Sequence, residues 1–159
     1  MAVKSVQIRK ARVPDVPEIQ RLINSFADRD AMLPRSLNAI YEGVRDFLVI
    51  ERSGQIAGCC ALHVTWSDLA EIRSLAVSDD AQGRGYGRAL VDACLAEARE
   101  MGVPRVFALT YIPAFFESLG FSRIDKGTLP HKIWSECINC PKFPDCGEEA
   151  VLIELGVEL

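Results

Sequence analysis

Apolar residues recur along this chain with two alternating periods. Val6 and Ile8 alternate with polar Gln7 and Arg9, the two-residue period of a half-buried strand. From Pro14 the period lengthens. Val16, Ile19, Leu22, Ile23 and Phe26 fall three or four apart, one buried face of a helix that tolerates Pro14 and Pro17 only near its first turn. "MLPRSLNAIYEGVRD" reads as a second, shorter helix with Ser36 as its N-cap. "FLVIERSGQIAGCCALHVTW" gives two strands around a Ser53-Gly54 turn, and "LAEIRSLAV" a third. From Gly85 to Met101 the helical period returns. Tyr86, Leu90, Cys94, Ala98 and Met101 line one face, Arg88, Asp92 and Arg99 lie opposite, and Gly102 is the stop. "RVFAL" is a short buried strand, "PAFFESL" a short helix, "GFSRI" the start of a strand and "EEAVLIELGV" a terminal strand. The predicted order is β-α-α-β-β-β-α-β-α-β-β, an α/β or α+β layering with helices available to cover both faces of the sheet.

Length narrows this picture to one domain spanning 1–159, long enough to bury a core without staples. A net charge of −4 argues against a general nucleic-acid binder. No apolar run approaches the length of a membrane span, and "MAVKSVQIRKARVPD" lacks an apolar signal core, so the expected location is cytoplasmic. Six cysteines are then expected as reduced thiols. Cys59, Cys60 and Cys94 sit in apolar stretches and read as small core residues.

One stretch needs a chemical explanation. "SLAVSDDAQGRGYGRALVDACLAEA" puts Gly83, Gly85 and Gly87, with Arg84 and Arg88, between a strand and a helix. Helix N-termini expose N–H groups and attract phosphate, and glycine lets an anion approach the backbone. The spacing fits neither the dinucleotide fingerprint nor a P-loop, which would need G-K-[ST].

Gln82, Gly85 and Gly87 in "QGRGYG" match the Q/R-x-x-G-x-G/A motif of the GNAT superfamily of acyl-CoA N-acetyltransferases. With "LAV" before the motif and "PAFFESLGF" after it, nearly the whole chain resembles that family. The resemblance implies a mixed, mostly antiparallel sheet of six to seven strands with helices on both faces. It implies acetyl-CoA as co-substrate, its pyrophosphate on Gln82, Gly83, Arg84, Gly85, Tyr86, Gly87 and Arg88. Its pantetheine arm would pair with the backbone of Leu75, Ala76 and Val77, the N–H near Leu75 meeting the oxyanion. "LPRSL", "CCALH", "EIRSLAVSDDAQGRGYG" and "RVFALTYIPAFFESLGF" resemble more finely the acetyltransferase domain of N-acetylglutamate synthases in their short bacterial form. That implies transfer of acetyl to the α-amine of L-glutamate, the first committed step towards arginine. The rival readings are another carboxylate-bearing amine as acceptor and a non-catalytic acetyl-CoA-binding module.

Amine acetylation needs a proton acceptor and donors for an oxyanion. By the same resemblance, Glu71 is the candidate base acting through water. The usual acid, a tyrosine in an "FY" pair, is replaced by Phe115-Phe116, which leaves Tyr111 as a nearby substitute or a buried ring. Arg35 falls where the synthases bind a carboxylate, Lys132 is a candidate for the second, and Arg73 shares a strand face with Glu71 by period-two spacing. His63 stands where longer synthases have lysine, which weakens that anchor or leaves a core histidine. "CINCPKFPDC" within loop 134–147 spaces Cys137, Cys140 and Cys146 as C-x2-C-x5-C. A structural zinc wants four ligands, and His131 would have to supply the fourth, so no metal is expected. The loop is otherwise a thiol-rich cover over the acceptor site or a redox-sensitive lid. Expected partners are the small-molecule substrate and a second copy as a homodimer, with neither nucleic acid nor membrane.

Overall fold

The computed structural model of the protein describes residues 6–27, 35–129 and 148–156. Strand β1 (Val6–Lys10) leads into helix α1 (Val16–Ala27) and a short helix α2 (Leu37–Glu42). Strands β2 (Phe47–Arg52), β3 (Gln55–Trp66) and β4 (Leu69–Val77) follow as an antiparallel meander. Helix α3 (Tyr86–Met101) crosses to β5 (Arg105–Thr110), and α4 (Pro113–Glu117), β6 (Ser122–Ile124) and β7 (Glu149–Glu154) complete the chain's elements. This is the predicted order. The seven strands form one mixed sheet, β1-β2-β3-β4-β5-β7-β6, in which β4 and β5 are parallel and the other neighbours antiparallel. No helix among the described residues is long and apolar enough to cross a membrane.

Local chemistry places the element ends. The Ser36 hydroxyl accepts from the Ala39 N–H at 3.1 Å and so caps α2. Ser53 and Gly54 both have positive φ, 53° and 79°, the turn geometry that matches strand twist. Met101 departs from expectation. It is 58% exposed, because the chain turns away at Gly102 and the helix face is filled instead by Val91 and Leu95.

Helices α1 and α2 cover one face of the sheet, where Ile19, Ile23 and Ile40 pack on Phe47, Val49, Cys59 and Ala61. Helix α3 covers the other, with Leu90, Val91 and Cys94 against Leu48, Ile50, Cys60, Leu62 and Ile72, and Phe116 of α4 joins it. The three cysteines are buried packing residues, as read from the sequence. Burial pushes the Cys59 thiol up to about 12, so it packs as a neutral thiol near neutral pH. A third cluster of Leu69, Phe107, Leu129 and Ala150 lies on the α1 side, over the opposite half of the sheet.

Two irregularities in β4 create the opening beside it. The ladder with β3 pairs Cys59 with Ala76 but Ala61 with Arg73, so β4 carries one extra residue there. Ser74, at φ 54°, absorbs the bulge. Alternation from Glu71 would put Leu75 and Val77 on its face, but after the bulge they pack on the α3 side while Ala76 packs under α1. The second irregularity is that β4 meets β5 only through Ala70↔Val106 and Glu71↔Phe107. Beyond Glu71, β4 continues with β3 to Val77 and β5 continues with β7 to Thr110, and a wedge opens between them.

Gly58 lies where β3, the bulge and α3 meet. A Cβ there would stand 3.0 Å from Ile50 Cγ2, 3.1 Å from the Ala76 carbonyl oxygen and 3.1 Å from Leu90 Cδ1. Gly58→Ala should therefore destabilise the fold by about 1–3 kcal/mol, the usual cost of overpacking, as read by urea denaturation. A variant as stable as the parent would show that α3 can lift from the sheet without cost.

Candidate active site

The glycine turn stands at the wide end of the wedge. After β4 the chain makes one 3-10 turn, Asp79–Ala81. The Gln82 amide then donates to the Val77 carbonyl at 3.1 Å and to Asp79 Oδ1 at 3.4 Å. Gln82 thus fastens the turn to the end of β4, a role that its reading as a cofactor contact did not foresee. Gly83 and Gly85 hold left-handed φ values of 79° and 80°. Gly85 is the N-cap of α3 and brings no side chain over the free N–H groups of the first turn. Its carbonyl accepts from the Ala89 N–H at 3.0 Å, so the helix starts at once. The third glycine differs. Gly87 is not left-handed, and a Cβ there would stand 3.4 Å from Phe115 Cζ, an ordinary contact with the aromatic ring. Arg84 and Arg88 are exposed. Arg88 meets Asp92 at 3.8 Å with both side chains more than half exposed, a weak tether that leaves its charge usable. Partial positive charge, bare N–H groups and two guanidinium groups make this turn an anion site.

The polar residues of β3 and β4 lie deeper, on the α1 face, in the gap between the two apolar clusters of that face. Glu71 and Arg73 share the face as their spacing predicts, and the Arg73 Nε donates to Glu71 Oε1 at 2.6 Å. Both side chains are nearly buried, at 14% exposed for Arg73 and 10% for Glu71. His63 pairs with Glu71 across the β3–β4 ladder, so the two side chains are neighbours on one face. It is not a core histidine. Its ring is 40% exposed, and Nδ1 lies 2.8 Å from Asp46 Oδ2 in the 3-10 turn before β2. Asp46 was missed from sequence, where nothing in the spacing links it to His63.

Arg35 belongs to the helical layer over this face. Asn24 Oδ1 accepts from its N–H at 3.2 Å, and Gln20 Nε2 donates to its carbonyl at 3.2 Å, so α1 fixes its backbone just ahead of α2. Leu75 on β4 and Tyr111 just past β5 both lie beyond the last β4–β5 pair, Glu71↔Phe107, where the two strands have parted. Tyr111 is half-buried, just beyond β5, where the Ile112 N–H turns back to the Thr110 hydroxyl at 2.9 Å. Lys132, His131, Cys137, Cys140 and Cys146 lie outside the described residues. Among the described residues no cluster of three or more His, Cys, Asp or Glu side chains is arranged to hold a metal.

Residues 13–121 match the acetyltransferase (GNAT) family. The chain is 43% identical over 145 residues to an uncharacterised N-acetyltransferase of Chlorobaculum tepidum, spanning 91% of this chain and 94% of that protein. It is 40% identical over 132 residues to an amino-acid acetyltransferase of Mycobacterium tuberculosis, spanning 81% of this chain and 75% of that one. In three dimensions it is similar to the N-acetylglutamate synthase from Neisseria gonorrhoeae complexed with coenzyme A and N-acetyl-glutamate. The TM-score is 0.84 at 28% identity, over 97% of this chain but 36% of the synthase.

The Glu71–Arg73 pair is short and nearly buried, so its hydrogen bond is weakly screened by water. Arg73→Met removes a 2.6 Å charge-assisted hydrogen bond from a nearly buried carboxylate and should cost about 1.5–3 kcal/mol. Urea denaturation checks this, and a loss below about 1 kcal/mol, the range of exposed pairs, would show that water reaches the carboxylate freely.

Proposed function

The chain belongs to the acetyltransferase (GNAT) family, and on that footing we propose that it transfers the acetyl group of acetyl-CoA to the α-amine of L-glutamate. The product would be N-acetyl-L-glutamate, the first committed intermediate towards arginine. The observation that carries this reading is the wedge. An unpaired edge of β4 runs from a carboxylate–guanidinium pair at its narrow end to an anion-binding turn at its wide end. A long thioester with a pyrophosphate at one end and a reactive carbonyl at the other has the matching shape and charge.

In this reading the N–H groups of Tyr86, Gly87 and Arg88 hold the pyrophosphate oxygens, with Gly83 and Gly85 shaping the turn and Arg84 and Arg88 adding charge. The edge of β4 at Leu75, Ala76 and Val77 takes the place of a missing strand and hydrogen-bonds the pantetheine amides. An N–H at Leu75, freed by the divergence of β5, stabilises the oxyanion that forms when the amine attacks. Glu71 receives the amine in the gap beside it. Arg35 and Arg73 hold carboxylates, with Lys132 as the further candidate, since a guanidinium binds a carboxylate through two parallel hydrogen bonds. Tyr111, just beyond the end of β5, supplies a proton to the departing thiolate. Amine and thioester meet in one ternary complex, so acetyl passes directly, without an acyl-enzyme.

Relatives support the acceptor assignment. The mycobacterial relative is an amino-acid acetyltransferase, and the gonococcal synthase binds coenzyme A together with N-acetyl-glutamate.

Gly85→Val tests the cofactor half. A β-branched residue is strained at φ 80°, so the turn should open and acetyl-CoA affinity, measured by calorimetry, should fall by at least an order of magnitude, about 1.4 kcal/mol. Undiminished binding in a folded variant would remove the turn from the assignment. A thiol-release screen with glutamate, glutamine, aspartate and a simple polyamine tests the acceptor half. Glutamate should be preferred. Arg35→Ala should then lose about 2–5 kcal/mol in kcat/KM for glutamate, the cost of removing one partner of a charge-assisted pair. Lysine at the same position should restore it only in part, since a point charge cannot reproduce the planar fork. A preference for the polyamine would overturn the glutamate assignment and leave the family standing.

A further inference from the structure

We propose that His63, held by Asp46, is the group that takes the proton from the acceptor amine. The inference rests on the acetyl-transfer reading above and assigns one of its steps. Amine attack on a thioester requires a neutral nitrogen, so a base must remove a proton first. Glu71 is poorly disposed for this. One of its oxygens accepts from Arg73 Nε at 2.6 Å, so that lone pair is already engaged by the guanidinium. Glu71 is therefore placed to hold the amine by charge and hydrogen bonding.

His63 has the properties that Glu71 lacks. It stands directly opposite Glu71 on β3, with the two Cα atoms about 4.5–5.5 Å apart, as in any antiparallel pair. A group held at the carboxylate is thus within reach of the imidazole. The Asp46 carboxylate can only accept from Nδ1, which places the ring proton on Nδ1 and leaves Nε2 with a free lone pair. Among the described residues Nε2 has no hydrogen-bond partner. Asp46 also stabilises the imidazolium once it forms, as carboxylates do in other His–Asp pairs. Among the described residues the charged groups on the elements next to the ring are Asp46 and the exposed Arg45 from the turn before β2, and Glu71 and Arg73 from β4. The first carboxylate lies against the ring, and Glu71 and Arg73 are hydrogen-bonded to each other.

The step closes chemically. The ammonium gives one proton to Nε2, and the freed electron pair forms the C–N bond while the carbonyl electrons move to oxygen. Collapse restores the carbonyl, breaks the C–S bond and expels the thiolate, and the nitrogen loses its second proton as the thiolate gains one. His63, 40% exposed, returns the first proton to water.

Chemical rescue tests this. His63→Ala should lower kcat with glutamate roughly 10²–10⁴-fold, the range for a general base, and leave KM for acetyl-CoA near that of the parent. Added imidazole should restore kcat in a saturable way, and substituted imidazoles should restore it in the order of their basicity, which a merely structural role would not produce. His63→Gln keeps a donor to Asp46 and carries the same test should the alanine variant fold poorly; its kcat should be equally low. Asp46→Asn should lower kcat by a smaller factor. His63→Gln that retains kcat, or a folded His63→Ala that imidazole does not rescue, would overturn the assignment while leaving acetylation of glutamate intact. A parent protein that releases no thiol with any amino acid would overturn both together.

Discussion

One extra residue in β4 is the constraint on which the rest of the site depends. A strand paired on both sides has no backbone group to spare for a ligand. The bulge at Ser74, held in a left-handed conformation, breaks the regular pleat and increases the local twist. Past it β4 stays with β3, while β5 follows β7 and the two part company after Glu71. The unpaired edge this leaves is costly to bury without partners. Such an edge is retained where a ligand supplies those partners, and an extended amide-bearing arm is a suitable one.

The packing around the wedge keeps it open. Leu75 and Val77, reversed by the bulge, anchor the outer half of β4 to the α3 side, while Ala76 packs beneath α1. On the α1 face the apolar cover is divided, with one cluster under α1 and α2 and another around Phe107 and Leu129. Glu71, Arg73 and His63 occupy the gap between them. Polar groups at that position meet less water than at the surface, so their mutual interactions are stronger and an unpaired one is more expensive. Glu71 with Arg73, and Asp46 with His63, are the pairings that meet this condition.

The electrostatics of the site run against the balance of the whole chain. The protein carries a net charge of −4, yet Arg35, Arg73, Arg84 and Arg88 lie along the path proposed for two anionic substrates. A local concentration of cations in a cleft with low-dielectric walls focuses attraction there, while the overall negative charge repels anions elsewhere. At the turn the backbone adds to this field, because the first turn of a sixteen-residue helix points its N–H groups outward with no capping side chain over them.

The order of elements, the Ser36 cap, the stop at Gly102, the buried cysteines and the glycine-rich strand-to-helix turn were legible in the sequence. Each depends on residues within a few positions of one another, where helical and strand periods, capping and glycine conformation act. The common face of Glu71 and Arg73 was legible for the same reason. What tertiary structure decided has longer range. Asp46 reaches His63 across 17 residues because β2 and β3 pair antiparallel and bring the turn before one strand beside the end of the other. Gly87 proves to lie beside the ring of Phe115, on a separate helix. Met101 fits the apolar period of α3 and is nevertheless exposed, because period specifies a face and not whether anything lies opposite it. The bulge is the sharpest case. Nothing in "EIRSLAV" departs from a regular strand, yet β3 on one side and α3 on the other fix the register that makes Ser74 left-handed and turns Leu75 away from Glu71. Alternation is a property of one strand, whereas a register shift is a property of two, and only the packed sheet contains both.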